Sequence, residues 1–434
     1  MRVLGRLVTY IVIFLTSLSF GVEPAHGQDD RAVSEALGLP GWLTAHGSAR
    51  VRPESRWGRA FTQGDDEAYV LTRGRLSVGI DAARWARFFL QGQGSRAFGL
   101  PDAGITLADG TDFYQGYVEL GRPDGLVQLR VGRQEMRYGQ ERLISVNPWR
   151  NTGRSFDAAR VMVGSETLGV DVFTGGVIEK DQDGLDRRVE GENLHGAYAR
   201  FGHEGDGLRV EPYVLIRTRA TTEGRPVSEN RTSFGVRVAH QFSSQLDATG
   251  EAVRQVGDSL DQSVSAWMAY GAIGYELDDV VWRPRLEGEY SYASGDTDPS
   301  DGRLQGFDTL YSTPHRFYGY ADLIGGRNIQ NVHAEISLRP ATGLSVVVDV
   351  HRFWLATRMD GLYRTSLAVA VPAPTGGFET SDVGAELDLT ISYRVLEWLT
   401  VGGGWSHFFR GRLLETHTTA SASSFTYTTI EARF

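Results

Sequence analysis

The chain contains no cysteine, and of its 44 basic residues only Lys180 is lysine. The first absence excludes disulfides and thiolate metal sites, and it fits an oxidising bacterial compartment where stray thiols are a liability. The second makes the basic complement almost wholly arginine, a planar, permanently charged fork suited to carboxylate and phosphate. A GC-rich genome would produce the same bias. Positive net charge is also lacking: 54 acidic residues give −10 at pH 7, which argues against a nucleic-acid binder. Beyond the N-terminus no run approaches the roughly 20 apolar residues of a transmembrane helix. A mean hydropathy of −0.26 is likewise too polar for a helical membrane protein. No G-x-S-x-G, P-loop or Rossmann pattern occurs, so neither an enzyme nor a cofactor is expected.

What is present begins with an address. Arg2 and Arg6 precede an apolar run from Leu7 to Phe20, and Ala25-His26-Gly27 supplies small residues at the positions a signal peptidase reads. Residues 1–27 are therefore expected to be a cleaved signal peptide and 28–43 a short periplasmic lead-in, with Asp29 and Asp30 capping one or two helical turns before Gly38 and Pro40. From residue 44 to 434 the dominant period is two. Eighteen alternating segments follow one another, and their connections sort by length. Tight turns, such as 340–343 and 394–397, alternate with longer loops that include 134–155, 256–263, 292–330, 355–382 and 409–424. One short rim and one long-looped rim predict an all-β fold, a transmembrane antiparallel barrel with periplasmic turns and extracellular loops.

Polarity supports the same architecture. Val70, Leu76, Val78 and Ile80 oppose Arg73, Arg75 and Ser77, and Ala385, Leu387 and Leu389 oppose Glu386 and Asp388. Arginine facing hydrocarbon costs roughly 2 to 4 kcal/mol at the midplane, so these charges belong in a wet lumen. Eighteen strands are enough to enclose one. Tyr69, Trp85, Tyr114, Tyr213, Trp267, Tyr275, Trp282, Trp398 and Tyr427 are expected in the interfacial girdles, although ordinary β-propensity also places aromatics in strands.

The densest stretch runs from Val131 to Val163. Gly132-Arg133-Gln134-Glu135-Met136, Tyr138-Gly139, Arg142-Leu143-Ile144, Trp149, Asn151-Thr152-Gly153-Arg154-Ser155-Phe156-Asp157 and Arg160 resemble the central motif of the alginate-export family of outer-membrane proteins. Tyr292-Ala293-Ser294-Gly295-Asp296, Phe307-Asp308, Pro314-His315, Tyr318-Gly319-Tyr320 and Gly384-Ala385-Glu386-Leu387-Asp388-Leu389 extend the resemblance. It implies an eighteen-stranded monomeric barrel in the outer membrane, exporting an anionic polysaccharide past an arginine-lined constriction. The family is described with a long periplasmic plug loop near the C-terminus, whereas the matching turn here, 394–397, is minimal. The last strand, ending Ala432-Arg433-Phe434, resembles the segment that the barrel-assembly machinery reads.

Inward parity selects Arg50, Arg52, Arg73, Arg75, Arg87, Arg130, Arg160, Arg209, Arg217, Arg237, Arg283 and Arg285 as basic lumen residues. Glu119, Asp171, Glu386 and Asp388 are acidic counterparts, with Glu287, Glu289, Glu335 and Asp349 among others. Two readings stay open: a positive ladder through Arg50, Arg75, Arg130 and Arg160 that lowers the barrier for carboxylates, or ion pairs that brace the wall. Loop 134–155, with Arg133, Arg137, Tyr138, Arg142, Trp149, Arg150 and Arg154, either folds inward as a constriction or faces lipopolysaccharide outside. Asp296, Asp298 and Asp301 offer oxygen ligands to Ca²⁺ or form a solvated acidic loop. His333 and His351 are expected to line the lumen. The functional expectation is a channel for anionic polysaccharide. The alternatives are a porin for small anionic solutes, or a surface adhesin or assembly component anchored by the barrel.

Overall fold

Alternating segments whose two faces differ in polarity are stable only when a larger sheet takes them up. In the computed structural model, which describes residues 34, 38–100, 102–203, 205, 207–222, 228–419 and 422–434, that sheet is closed. Its strands are β1 (Leu43–Trp57), β2 (Glu67–Ala83), β3 (Ala86–Phe98), β4 (Asp109–Leu120), β5 (Val127–Gln134), β6 (Phe156–Gly164), β7 (Leu168–Glu179), β8 (Glu192–Gly202) and β9 (Leu208–Arg219). They continue as β10 (Glu229–Gln241), β11 (Leu246–Ser259), β12 (Gln262–Glu276), β13 (Arg285–Ala293), β14 (Ile329–Ala341), β15 (Leu344–Leu355), β16 (Asp382–Leu396), β17 (Leu399–Arg410) and β18 (Ser423–Arg433). Each pairs antiparallel with its successor, and β18 returns to β1 from Ser48 opposite Arg433 to Trp57 opposite Ser424. The result is a closed barrel of eighteen strands. Closure leaves no edge, which is the condition a sheet must meet in hydrocarbon. The proposed signal peptide and most of the lead-in lie outside the described residues.

The two faces separate as the alternation predicts. On β2, Leu76, Val78 and Ile80 are exposed on the outside while Tyr69, Leu71, Arg73 and Ser77 are buried within. At the short-turn rim Trp42, Trp85, Trp282 and Trp398 stand exposed at strand ends, the placement expected of an interfacial girdle. Trp267 and Tyr275 are also exposed. Tyr69, Tyr114 and Tyr213 are buried inside instead, and Tyr427 packs on Trp149 in the lumen, so these four are not girdle residues. Their parity places them on the inner face, and proximity to a strand end does not override it.

One loop expected to be long is a two-residue turn. β11 and β12 pair as far as Ser259 opposite Gln262, with Leu260 left-handed at φ 51°. Gly257, Asp258 and Ser259 read as turn residues in sequence, yet they continue the ladder. At the other rim Leu396 pairs with Leu399, so the turn 394–397 is as short as the sequence indicated. The apolar core lies inside the barrel, where Met136, Leu143, Ile144, Phe307, Tyr311, Leu323 and Ile324 from two loops meet wall aromatics such as Phe173, Tyr198, Phe353 and Phe408.

Candidate functional site

Loop 135–155 leaves the wall at β5 and crosses the lumen. Arg142 ion-pairs with Glu289 on β13, and its guanidinium lies 3.6 Å from the Tyr270 ring centroid and 3.9 Å from that of Phe317. On the other side the Trp149 ring carries Arg52 at 3.7 Å and stacks on His315 at 3.8 Å. Asn151 fastens this side: its Nδ2 donates to the carbonyls of Leu107 (2.7 Å) and Thr72 (3.1 Å), and its Oδ1 accepts from Arg50 at 3.1 Å. Local chemistry shapes the path, since Asn147 adopts φ 47° and its Oδ1 accepts from the Arg150 amide at 3.2 Å. Gly153 (φ 65°) comes so close to the wall that a Cβ there would lie 2.6 Å from Tyr114 Oη.

A second loop, 294–328, meets the first inside the barrel. Ile144 and Tyr311 form a parallel bridge, with Tyr311 donating to the carbonyl of Leu143 at 2.8 Å and Ser145 to that of Tyr311 at 3.0 Å. Asp308 takes a fork from Arg217 at 3.1 and 2.7 Å, and Arg56 donates to the Ala321 carbonyl at 3.0 Å. Opposite, the Ala321 amide donates to Glu386 at 2.8 Å, and a Cβ on Gly319 would clash with the same carboxyl group. Sequence reading did not assign this loop to the lumen. The available signal was its apolar content: Phe307, Tyr311, Phe317, Tyr318, Leu323 and Ile324 have no reason to sit in a water-facing loop.

The sequence-selected charges sort into three groups. Most are ion-paired: Arg52 with Glu54 (2.6 Å), Arg75 with Glu135 (3.6 Å), Arg87 with Asp81 (3.7 Å), Arg209 and Arg237 with Glu211 (2.9 and 2.8 Å) and Arg285 with Asp247 (2.6 Å). Glu119, Arg130, Arg160, Asp171 and Arg200 form a line of ion pairs across β4 to β8 in which Arg130 and Arg160 face each other in register. Three of the four expected ladder arginines, Arg75, Arg130 and Arg160, are thus matched by carboxylates, and Arg50 is not. Tyr138 stacks on Phe173 above this line, its hydroxyl 3.3 Å from Asp171. Arg217 joins Glu229 as well as Asp308.

Arg283 is a correction. It lies in the turn between β12 and β13, is exposed, and pairs with Glu276 (2.9 Å) and Asp278 (2.7 Å), so it belongs to the short-turn rim. Residues 277–284 form an irregular turn with Trp282 and Arg283 at positive φ. Arg133 lies in β5 rather than in the loop, held to Asp157 at 3.0 Å and to the carbonyl of Asp186 at 3.1 Å. Arg137 is half exposed, between Glu135 and Glu141.

The second group is cationic without counterions. Among the described residues Arg50, Arg73, Arg150 and Arg154 have no ion-pair partner, and they surround the segment 148–154. Arg50 and Arg73 donate to the carbonyl of Pro148 at 3.1 and 3.4 Å, and Arg154 donates to the carbonyls of Ser145 and Ser312 at 3.2 and 3.1 Å. Burial pushes the guanidiniums of Arg150 and Arg154 down, to about 10, still far above neutrality. A cavity of about 800 Å³ opens here, lined by nine arginines, among them Arg52, Arg56, Arg150, Arg154 and Arg217, against the four carboxylates of Glu54, Glu67, Asp308 and Asp322.

The third group is acidic. Further round the wall Glu335, Asp349, Glu386 and Asp388 of β14 to β16 have no arginine partner among the described residues, and His333 and His351 lie between them. The aspartates read as a Ca²⁺ candidate do not converge. Asp298 Oδ1 accepts from the Ser300 amide and hydroxyl, Asp301 Oδ1 from the Arg303 amide, and Asp296 Oδ1 from the Asp298 amide, each closing a local turn.

A family model described as "Alginate export" matches residues 41–428. Among curated protein sequences, none matches the chain. Solved structures with the same fold include Pseudomonas aeruginosa OpdK with vanillate (13% identity, 90% of this chain and 98% of that one, TM-score 0.61) and OpdQ (10%, 90% and 98%, 0.61). OccK11 (OpdR) from the same organism aligns at 12% identity over 90% and 96%, with a TM-score of 0.57.

Proposed function

The chain belongs to the alginate-export family of outer-membrane β-barrels, and from that premise we propose that it is a passive channel for anionic sugar oligomers or polymers of the uronate class. The observation that carries this reading is the cluster of Arg50, Arg73, Arg150 and Arg154, cations without carboxylate partners beside a cavity with a large arginine excess. Fixed guanidiniums at a narrow point offset the desolvation of a carboxylate entering from water and present it with a bidentate partner. No cofactor is required, because conduction is driven by concentration.

A second reading, a porin selective for small anionic solutes, draws on the meeting of the two loops inside the lumen, which takes up room a polymer would need. Bilayer recordings separate the two. A uronate channel is expected to be anion-selective and to be blocked by oligouronates with an affinity that grows with chain length. Cation preference, or block by monouronate as strong as by longer oligomers, would rule out the polymer reading.

A further inference from the structure

The acidic wall poses a problem that the barrel's arginines do not solve. Asp349 and Asp388 stand directly opposite each other across β15 and β16, and like charges so placed repel. Both are buried, and Asp349 Oδ2, Asp388 Oδ1 and Glu386 Oε2 have no hydrogen-bond partner within the protein. His333 and His351 face each other across β14 and β15, their rings stacked at 4.3 Å and 5°.

The hydrogen bonds fix which nitrogens are available. Asn331 Nδ2 donates to the carbonyl of Phe317 at 3.2 Å, so its Oδ1 faces His351 Nδ1 at 3.3 Å and accepts the ring proton there. His351 Nε2 then carries a lone pair, and it points at Asp388 Oδ2 only 3.9 Å away. Two electron-rich atoms aimed at each other in a buried site call for a cation between them. His333 Nε2 lies 2.8 Å from Asp349 Oδ1, and the ligand atoms of His333, Asp349 and His351 all lie within 4.8 Å of one another. Ligands about 2.0–2.2 Å from a tetrahedral ion lie roughly 3.3–3.6 Å from one another, between the shortest and longest of these spans and within reach of small rotamer adjustments.

We infer that His333, Asp349, His351 and Asp388 form a binding site for a divalent transition-metal ion of the zinc class. Two imidazoles and two carboxylates suit such an ion better than Ca²⁺ or Mg²⁺, which prefer oxygen alone. Asn331 acts as the outer partner that sets the tautomer of His351. The bound ion cross-links β14, β15 and β16 and neutralises the wall on which loop 294–328 rests through the Tyr320 and Ala321 amides.

The test uses the full-length barrel, folded in detergent and dialysed against Zn²⁺ or Co²⁺. One ion per chain is expected, with Co²⁺ giving the intense visible bands of a tetrahedral site. His351→Gln and His333→Ala should abolish the stoichiometric site, and Asn331→Ala should weaken it about 10- to 100-fold. His407→Ala, outside the cluster, should leave it intact. Heat-modifiable gel migration establishes that each variant has folded. If the folded wild type binds no stoichiometric metal, or if His351→Gln and His333→Ala bind as the wild type does, the site does not exist. Weak Co²⁺ absorption with octahedral character would also overturn the assigned ligand set.

Discussion

Arg142 does at residue scale what a whole packing layer does elsewhere: it ties loop 135–155 to the far wall by one buried ion pair and two ring contacts. Removing it leaves Glu289 buried without a partner, which costs about 3–5 kcal/mol. Arg142→Ala is therefore expected to lower the barrel's midpoint in denaturant, and Arg142→Met with Glu289→Leu to recover most of the loss. Asp322 supplies a pH dependence at the same scale. Burial alone would raise its pKa, but His315, by charge and hydrogen bond, together with Arg56 and Arg52, holds it below the ordinary value. Asp308 is likewise held well below it, with Arg217 foremost against burial. A depressed carboxylate contributes stability that is fully present above the unfolded pKa, about 3.9, and is lost as pH falls toward the folded one. Docking of loop 294–328 should therefore weaken below about pH 4, read as rising hydrogen exchange in that loop.

The elements divide into a wall that defines the barrel and two loops that pack inside it. Gly153 and Gly319 are the contact points, one against Tyr114 and Arg75, the other against Glu386, both at positive φ. Gly153→Ala and Gly319→Ala each incur about 1–2 kcal/mol from the backbone alone, before any clash. Both should undock a loop while leaving the strands intact. The measurable outcome is larger, noisier single-channel conductance with an unchanged far-ultraviolet circular dichroism spectrum; unchanged conductance would mean that the loops do not set the bore. The strands were legible because period-two alternation depends on nearest neighbours alone. The inward course of loops 135–155 and 294–328 was not, because it rests on partners far apart in sequence, as Arg142 to Glu289 and Arg56 to Ala321 illustrate.

At the scale of the molecule the lumen is electrically polarised: among the described residues, Arg50 and Arg73 on β1 and β2 have no carboxylate partner, and Glu335, Asp349, Glu386 and Asp388 on β14 to β16 have no arginine partner. Replacing Arg50, Arg73, Arg150 and Arg154 together by Gln should move the reversal potential toward cation selectivity. If each binds a uronate carboxylate, every single replacement weakens oligouronate block by about 1.5–3 kcal/mol, roughly 10- to 100-fold. Neutralising Arg130 and Arg160, which already face Glu119 and Asp171, should change selectivity less and stability more. The sequence by itself determined the strand number, the closed antiparallel topology, the inner and outer faces and the family motif, because each is written in local alternation and turn length. Only the tertiary structure decided which inward charges are compensated. Inward parity names the strand face, whereas pairing depends on register between strands and on where two long loops dock. The same register brought His333, His351, Asp349 and Asp388 together from three strands, a grouping that no spacing along the chain displays.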